Sequence, residues 1–161
     1  MFDTPTEPTK DVKNFRQLLR DRSRSPYAHA ALLGIKKFDW PSLVKMIEKG
    51  LPWSAFDHFV RSIGLRAEDI ASLVGIPRRT LARRKAHGRL RPDESDRLLR
   101  LARVFSRALQ LFDGDHDAAT EWLTKRKIAL GDAVPLEIAK TDIGAAEVDN
   151  LIGRLEHGIF S

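Results

Sequence analysis

A run of positively charged side chains follows the Gly-Ile-Pro sequence at residues 75–77. Between residues 78 and 91 there are seven basic side chains and no Asp or Glu: Arg78, Arg79, Arg83, Arg84, Lys85, Arg89 and Arg91. Arginine matches the hydrogen-bonding edge of guanine, and Arg and Lys both pair with phosphate. The run therefore indicates an interface with nucleic acid. A solvated basic helix face is the alternative.

The residues before this run have the spacing of a helix-turn-helix. Ala71 supplies the small residue where two helices cross, and Gly75, four residues later, supplies a turn position that tolerates positive φ. Apolar residues at positions 70, 74, 76 and 81 can hold the two helices together. Pro77 can begin the second helix, because its missing N–H falls at an unpaired position. The pattern predicts two short helices, at about 66–74 and 77–86.

The second helix of such a unit lies in the major groove of DNA. We predict that seven side chains contact DNA: Arg78, Arg79, Thr80, Arg83, Arg84, Lys85 and Arg89. Residues 78–80 begin this helix and are predicted to face base edges, with residues 83–84 one turn further on. Lys85 and Arg89 are placed for phosphates, which set the register of binding but carry no sequence information. A three-helix unit of this kind can also serve in protein contacts alone.

Apolar residues recur at helical spacing along the rest of the chain, and no segment alternates at a period of two. The pattern predicts a long helix near 93–112, further helices near 115–126, 134–139 and 142–157, and an all-α fold. We divide the chain into an N-terminal helical extension (1–50), a helix-turn-helix DNA-binding region (51–91) and a small helical domain (92–161). Because helix-turn-helix proteins usually read two half-sites, we expect a homodimer, with the wide apolar surface of the long helix contributing.

Charge is unevenly distributed along the 161 residues, whose net charge is +6. Residues 61–112 carry 13 basic and 5 acidic side chains, a net of +8, whereas residues 113–161 carry 5 basic and 10 acidic, a net of −5. Such asymmetry suggests two surfaces for two kinds of partner. The basic middle favours phosphate, and the acidic end suits a basic protein surface.

Several classes of protein are disfavoured by the composition. There is no cysteine, no apolar run long enough to span a membrane and no secretory signal at the N-terminus, so we expect a cytoplasmic protein. The five histidines have no ligand spacing, and DGDHDA (113–118) lacks the glycine of a calcium loop, so we expect no metal. No catalytic triad or carboxylate pair is recognisable. We therefore expect neither an enzyme nor a bound cofactor.

Five stretches in the second half of the chain form a further pattern. They are SDRLLRLARV (95–104), ALQLFDG (108–114), the EWL before residue 124, GDAVPLEIAKTDIGAAEV (131–148) and LIGRLEHGIFS (151–161). On these stretches the chain resembles the toxin-binding domain of the Xre/MbcA/ParS antitoxin family, and GIPRRTLARRKAHGRL is similar to the end of that family's helix-turn-helix. One departure is that Trp122-Leu123 leads into TKRKIAL, where the family commonly has Asn or a Pro-rich turn.

The resemblance implies a type II antitoxin. Members of the family bind and silence a cognate RES-domain toxin, and they repress their own operon by binding operator DNA. RES toxins deplete NAD, so NAD belongs to the toxin and not to this chain. The family's C-terminal helix and tail cover the mouth of the toxin's active site, which here points to Arg154, Glu156, His157, Gly158, Ile159 and Phe160.

Two alternatives to an antitoxin stay open at this point. One is a stand-alone helix-turn-helix transcription regulator whose C-terminal half dimerises or binds a ligand. The other is a nucleoid or adaptor protein without operator specificity. Neither would bind or neutralise a toxin.

Overall fold

The computed structural model describes residues 27–36 and 39–158. Within these ranges the chain forms, in order, a 3₁₀ helix Ala28–Leu33, α1 Trp40–Lys49, α2 Trp53–Ile63, α3 Ala67–Leu73, α4 Arg78–His87, α5 Pro92–Leu111, α6 His116–Thr124, a second 3₁₀ helix Ile128–Leu130, α7 Pro135–Ile138 and α8 Asp142–Glu156. The described part contains isolated β-bridges but no β-strand. The predicted all-α fold is confirmed. Residues 1–26, 37 and 38 of the predicted N-terminal extension lie outside the described residues.

Short polar side chains begin three of these helices. The carboxylate of Asp39 accepts a hydrogen bond from the backbone N–H of Ser42 at the start of α1. Asp115 accepts from the N–H of Ala118 (3.0 Å) at the start of α6. The hydroxyl of Thr141 accepts from the N–H of Gly144 at the start of α8. Each bond satisfies a backbone donor that has no partner within the helix. Asp115 in the DGDHDA stretch is therefore a helix cap.

The long helix α5 forms the centre of the core. It packs against α1, α2, α6, α8 and the first 3₁₀ helix. Leu98, Leu101 and Phe105 are completely buried along it. The ring of Phe105 meets Phe59 of α2 edge-on at 6.4 Å between ring centres, and His116 of α6 at 5.9 Å. One side chain of α5 therefore contacts elements from both halves of the chain.

The apolar surface of α5 is covered within the chain itself. Its wide stripe packs on several neighbouring helices, and the flanking Leu99 and Leu111 are half-buried against the same core. The prediction that this surface contributes to a homodimer is therefore wrong, because no large apolar side chain of α5 is exposed. Among the described residues the exposed large apolar side chains are Trp40, Val44, Ile128 and Ile143.

A row of arginines on α5 faces a row of acids on α8. Arg100 reaches Asp142 (3.5 Å), Arg103 reaches Asp149 (3.6 Å) and Arg107 reaches Glu156 (2.9 Å). The three acids are seven residues apart, which returns each to the same side of the helix after two turns. These ion pairs place α8 lengthwise along the C-terminal half of α5.

Candidate functional site

The helices α3 and α4 form the predicted helix-turn-helix. Ala71 is completely buried where they pack together, and the backbone N–H of Ile76 donates to the carbonyl of Ala71 (2.8 Å). Gly75 has a φ of +80°, in the left-handed region that favours glycine. Pro77 lies directly before α4, whose first residue is Arg78. The predicted positions of the small residue and the turn are confirmed.

One side of α4 presents free cations. Arg78, Arg79, Arg83 and Lys85 are exposed, and none of them forms an ion pair or a side-chain hydrogen bond with a residue in the described ranges. Arg79 and Arg83 are four residues apart, so they lie on one face of the helix, one turn from each other. The structure therefore brings four of the seven predicted DNA-contacting residues to solvent without a partner.

Thr80 and Arg84 lie on the opposite, protein-facing side of α4. Thr80 is only 8% exposed, so the prediction that it faces base edges is wrong. The guanidinium Nε of Arg84 donates to both carboxylate oxygens of Glu94 (3.1 and 2.9 Å), and the two side chains are 15% and 4% exposed. Because Thr80 and Arg84 are four residues apart, they lie on the same face of α4. This face packs towards the start of α5, where Glu94 lies.

Arg89 follows α4 and is exposed, and it is anchored to the preceding helical region. Its guanidinium donates a short hydrogen bond to the carbonyl of Gly50. The neighbouring Leu90 donates its backbone N–H to the carbonyl of Leu51 (2.8 Å), beside the bridge between Pro52 and Arg89. Its predicted phosphate contact would require this guanidinium to leave Gly50 or to bind both groups.

Of the residues predicted to contact toxin, one is paired with another side chain of the protein, and others are open to solvent. Glu156 is held by Arg107, whereas Arg154 is half-exposed and His157 is exposed just after α8. Gly158 has a φ of +65° and donates its N–H to the carbonyl of Leu155, which completes the end of the helix. Ile159 and Phe160 lie outside the described residues.

Sequence reasoning missed two exposed isoleucines in the C-terminal half. Ile128 is 92% exposed and Ile143 is 80% exposed. The second 3₁₀ helix, which begins with Ile128, packs against α8, in whose first turn Ile143 lies. Neither residue contributes to the core. The available signal was that both isoleucines lie off the apolar stripes of the neighbouring helices.

The turn that departs from the family pattern is closed by the chain itself. The backbone N–H of Lys127 donates to the carbonyl of Ala133 (2.9 Å), and Gly131 and Asp132 have positive φ. The ammonium of Lys127 lies 5.3 Å from the ring centre of Trp122. Burial lowers the pKa of Lys127, and the neighbouring charge of Lys125 lowers it further. The result is a defined turn that carries Ile128 on its outside.

Neither a membrane-spanning helix nor a metal-binding cluster occurs in the part of the chain that the structure describes. In residues 27–36 and 39–158, no helix has both the length and the apolar character needed to cross a bilayer. The same ranges contain no group of three or more His, Asp or Glu side chains that could hold a metal ion.

A helix-turn-helix joined through one long helix to a second helical unit defines the class of all-α helix-turn-helix proteins with an appended C-terminal region. Residues 42–103 match the family described as the antitoxin Xre-like helix-turn-helix domain, and residues 107–158 match the antitoxin Xre/MbcA/ParS C-terminal toxin-binding domain. The chain belongs to this antitoxin family: it is a type II Xre-family antitoxin with a helix-turn-helix and a toxin-binding domain.

Two curated relatives carry the name Antitoxin Xre. The protein from Yersinia enterocolitica is 40% identical over 120 residues, which cover 74% of this chain and 81% of the relative. The protein from Photorhabdus laumondii is 36% identical over 130 residues, which cover 80% of this chain and 88% of the relative. Both similarities therefore extend over most of each chain.

Proposed function

We propose that this antitoxin neutralises a RES-domain toxin that depletes NAD, and that it represses its own operon through the helix-turn-helix. Membership of the antitoxin family supports toxin neutralisation in general, without indicating the kind of toxin. The exposed cations of α4 support DNA binding. In this proposal residues 51–91 bind DNA, residues 92–161 bind the toxin, and both act in the cytoplasm. The chain needs no cofactor, since NAD is consumed by the toxin.

The observation that carries the DNA-binding role is the division of α4 into two faces. Thr80 and Arg84 face the protein, while Arg78, Arg79, Arg83 and Lys85 face solvent. A face with four unpaired cations and no acid attracts the phosphate backbone. Arg79 lies in the first turn of α4, where a recognition helix contacts base edges, and Arg83 lies one turn further along the same face. We assign base contacts to these two arginines and phosphate contacts to Lys85 and Arg89.

The DNA-binding role is tested with DNA from upstream of the protein's own reading frame. Arg79→Ala or Arg83→Ala should weaken binding to that DNA by about 1–3 kcal/mol if the arginine reads a base, with little change on scrambled DNA. Lys140→Ala, which removes an exposed cation far along the chain, is the matched control. Equal losses on both DNAs would reassign the arginine to phosphate, and no binding by the unsubstituted protein would refute repression.

The toxin-binding role is assigned to the C-terminal region. Three features support it: the exposed His157 just after α8, the exposed Ile128 and Ile143, and the location of both isoleucines within the residues matched by the toxin-binding family. Exposed apolar side chains that lie on contacting elements, as these two do, can form the kind of patch that is typical of a protein-binding surface. We propose that Arg154, His157 and the tail through Phe160 cover the toxin's active site, and that the isoleucines add apolar contact area.

Co-expression with the product of the neighbouring gene tests this role. The unaltered chain should co-purify with that product, restore growth and preserve cellular NAD. Deletion of residues 157–161 leaves the bond between Arg107 and Glu156 in place, and should abolish rescue while DNA binding persists. A stand-alone regulator would neither co-purify nor rescue growth. Rescue without any change in NAD would point to a toxin of another chemistry.

We further propose that the protein is a homodimer that uses the outer face of α1. Trp40 is 62% exposed and Val44 is 44% exposed, and they are one helical turn apart. Val44→Glu should convert the dimer to a monomer in sedimentation at micromolar concentration. Ile143→Glu makes the same chemical change on the other exposed apolar site and should weaken toxin binding only. A monomeric unsubstituted protein would refute dimerisation.

A further inference from the structure

The first two turns of α5 carry a carboxylate that is bonded to the recognition helix. Glu94 is 4% exposed, and both of its oxygens accept from Nε of Arg84 on α4 (3.1 and 2.9 Å). One of them also accepts from the backbone N–H of Arg91 (2.8 Å). Glu94 is therefore satisfied by three hydrogen bonds. It connects the second half of α4 to the beginning of α5.

One turn further along α5, Arg97 is bonded to the other side of the helix-turn-helix. Its Nη1 donates to the carbonyl of Val74 (3.1 Å), the residue directly after α3, and to the carboxylate of Asp93 (3.2 Å). A Cβ placed on Gly75 would lie 2.8 Å from the same nitrogen. The guanidinium of Arg97 therefore lies directly over the turn between α3 and α4.

Glu94 and Arg97 are three residues apart and so lie on one face of α5. Through separate bonds, Glu94 holds α4 and Arg97 holds the end of α3. We propose that this pair positions the recognition helix for DNA, so that Arg79 and Arg83 meet the bases at a fixed angle. The inference rests on the proposed DNA-binding function and identifies positioning residues that do not themselves contact DNA.

A buried ion pair is a weak source of stability compared with apolar side chains of the same volume, because both charges lose their hydration. Its geometry nevertheless constrains α4, since Nε of Arg84 lies within hydrogen-bonding distance of both oxygens of Glu94. Recognition of a base edge requires the side chain to be placed within about 0.5 Å of its productive position. The pair therefore affects discrimination between DNA sequences more than the attraction to DNA in general.

Glu94→Gln separates positioning from electrostatics, because the two roles predict changes in different quantities: the affinity for all DNA and the ratio of affinities for two DNAs. Removing a negative charge strengthens attraction to phosphate, so a purely electrostatic role predicts tighter binding to all DNA. Positioning predicts at least a tenfold loss in the ratio of affinities for the upstream DNA and for scrambled DNA of the same length. The full chain is used, and its thermal unfolding is recorded to establish that the variant is folded.

Asp96→Asn is the matched control, since it makes the same charge change on an exposed residue of the same helix. It should leave the affinity ratio unchanged. A Glu94→Gln protein that is folded and behaves like Asp96→Asn would overturn the proposal. If Glu94→Gln does not fold, Arg97→Met is the deciding variant. Because the side chain of Arg97 is 36% exposed, its replacement should disturb the fold less. It should lower the ratio about tenfold, and an unchanged ratio would also overturn the proposal.

The failure of DNA binding itself has a different signature. If the unsubstituted protein does not distinguish the upstream DNA from scrambled DNA, the proposed repressor role fails before any variant is compared. If the unsubstituted protein distinguishes them and Arg79→Ala does not, while both positioning variants do, then base reading stands and positioning by α5 is refuted.

Discussion

Arg107 of α5 and Glu156, the last residue of α8, are joined by two parallel hydrogen bonds. Nη2 of the arginine donates to Oε2 (2.9 Å) and Nη1 donates to Oε1 (3.2 Å), across 49 positions of the sequence. Both side chains are 29% exposed. The paired geometry is the strong form of an arginine–carboxylate contact. It holds the end of α8 next to the segment that we propose enters the toxin.

We expect Glu156→Gln to lower the free energy of unfolding by about 0.5–1 kcal/mol, as for other partly exposed ion pairs. The effect should shrink in 1 M salt, because salt screens charge interactions. Urea unfolding at low and high salt measures it. Asp57→Asn breaks an exposed pair with Arg61 and serves as the control, with a smaller expected effect. Equal losses in the two variants would contradict a special role for the paired geometry.

Asp149 should contribute a loss of stability as the pH rises. Burial raises the pKa of this carboxyl above its ordinary value of 3.8; the charges of Arg103 and Arg107 oppose the rise and Glu156 adds to it. Its buried Oδ1 has no hydrogen-bond partner in the described part of the chain. The folded chain therefore keeps this proton at a pH where the unfolded chain has released it. By linkage, the contribution of Asp149 to the free energy of unfolding decreases from pH 3.8 upward, through the raised pKa.

Asp149→Asn should remove that part of the pH dependence, since the amide does not titrate. Denaturant unfolding between pH 3.5 and 7 compares the slopes of the variant and the unsubstituted chain. Asp142→Asn, at an acid 85% exposed in the same helix, should keep the original slope. A slope that is unchanged by Asp149→Asn would show that burial of this carboxyl does not govern the decline.

Two glycines of α8 should respond oppositely to alanine. A Cβ on Gly144 would lie 1.9 Å from the carbonyl oxygen of Ile138, so Gly144→Ala should destabilise the fold by about 1–3 kcal/mol, the usual range for overpacking. A Cβ on Gly153 would meet no described residue within 4 Å, so Gly153→Ala should stabilise the fold by about 0.5–1 kcal/mol through helix propensity. Thermal unfolding tests both, and shifts of the same sign would refute the close approach at Gly144.

His116 should be important for stability. It is 1% exposed, and its Nε2 donates to the carbonyl of Ser62 (2.8 Å) at the end of α2. His116→Ala would leave that carbonyl unpaired and open a cavity beside Phe105, at a cost of about 2–4 kcal/mol. His87→Ala, on the exposed end of α4, should change stability by less than about 0.5 kcal/mol. Comparable effects would argue against the bridge from α6 to α2.

Local patterns were sufficient to predict the helices and the helix-turn-helix. Helical periodicity gave the limits of α5 and α8 to within a residue or two, because few other arrangements can bury such stripes. Gly75 was recognisable as the turn because a left-handed residue there strongly favours glycine. These features depend on neighbours within a few positions of the chain.

The predictions that failed depend on tertiary packing. Thr80 and Arg84 looked equivalent to Arg79 and Arg83 in the sequence, since a basic helix gives little indication of which side will be covered. The angle of α5 decides it, through Glu94, which lies beyond the end of α4. The exposure of Ile128 and Ile143 is weakly marked in the sequence, because isoleucine is usually buried and only their position off the neighbouring apolar stripes indicates otherwise.

The position of Phe105 has a practical consequence for dividing this protein. Its ring contacts Phe59 of the helix-turn-helix half and His116 of the toxin-binding half, and it is completely buried by them. A fragment that ends at residue 103 would lack this ring and uncover its partners in α2. Melting should therefore follow a single cooperative transition, and a protease should find no stable intermediate between the intact chain and its peptides.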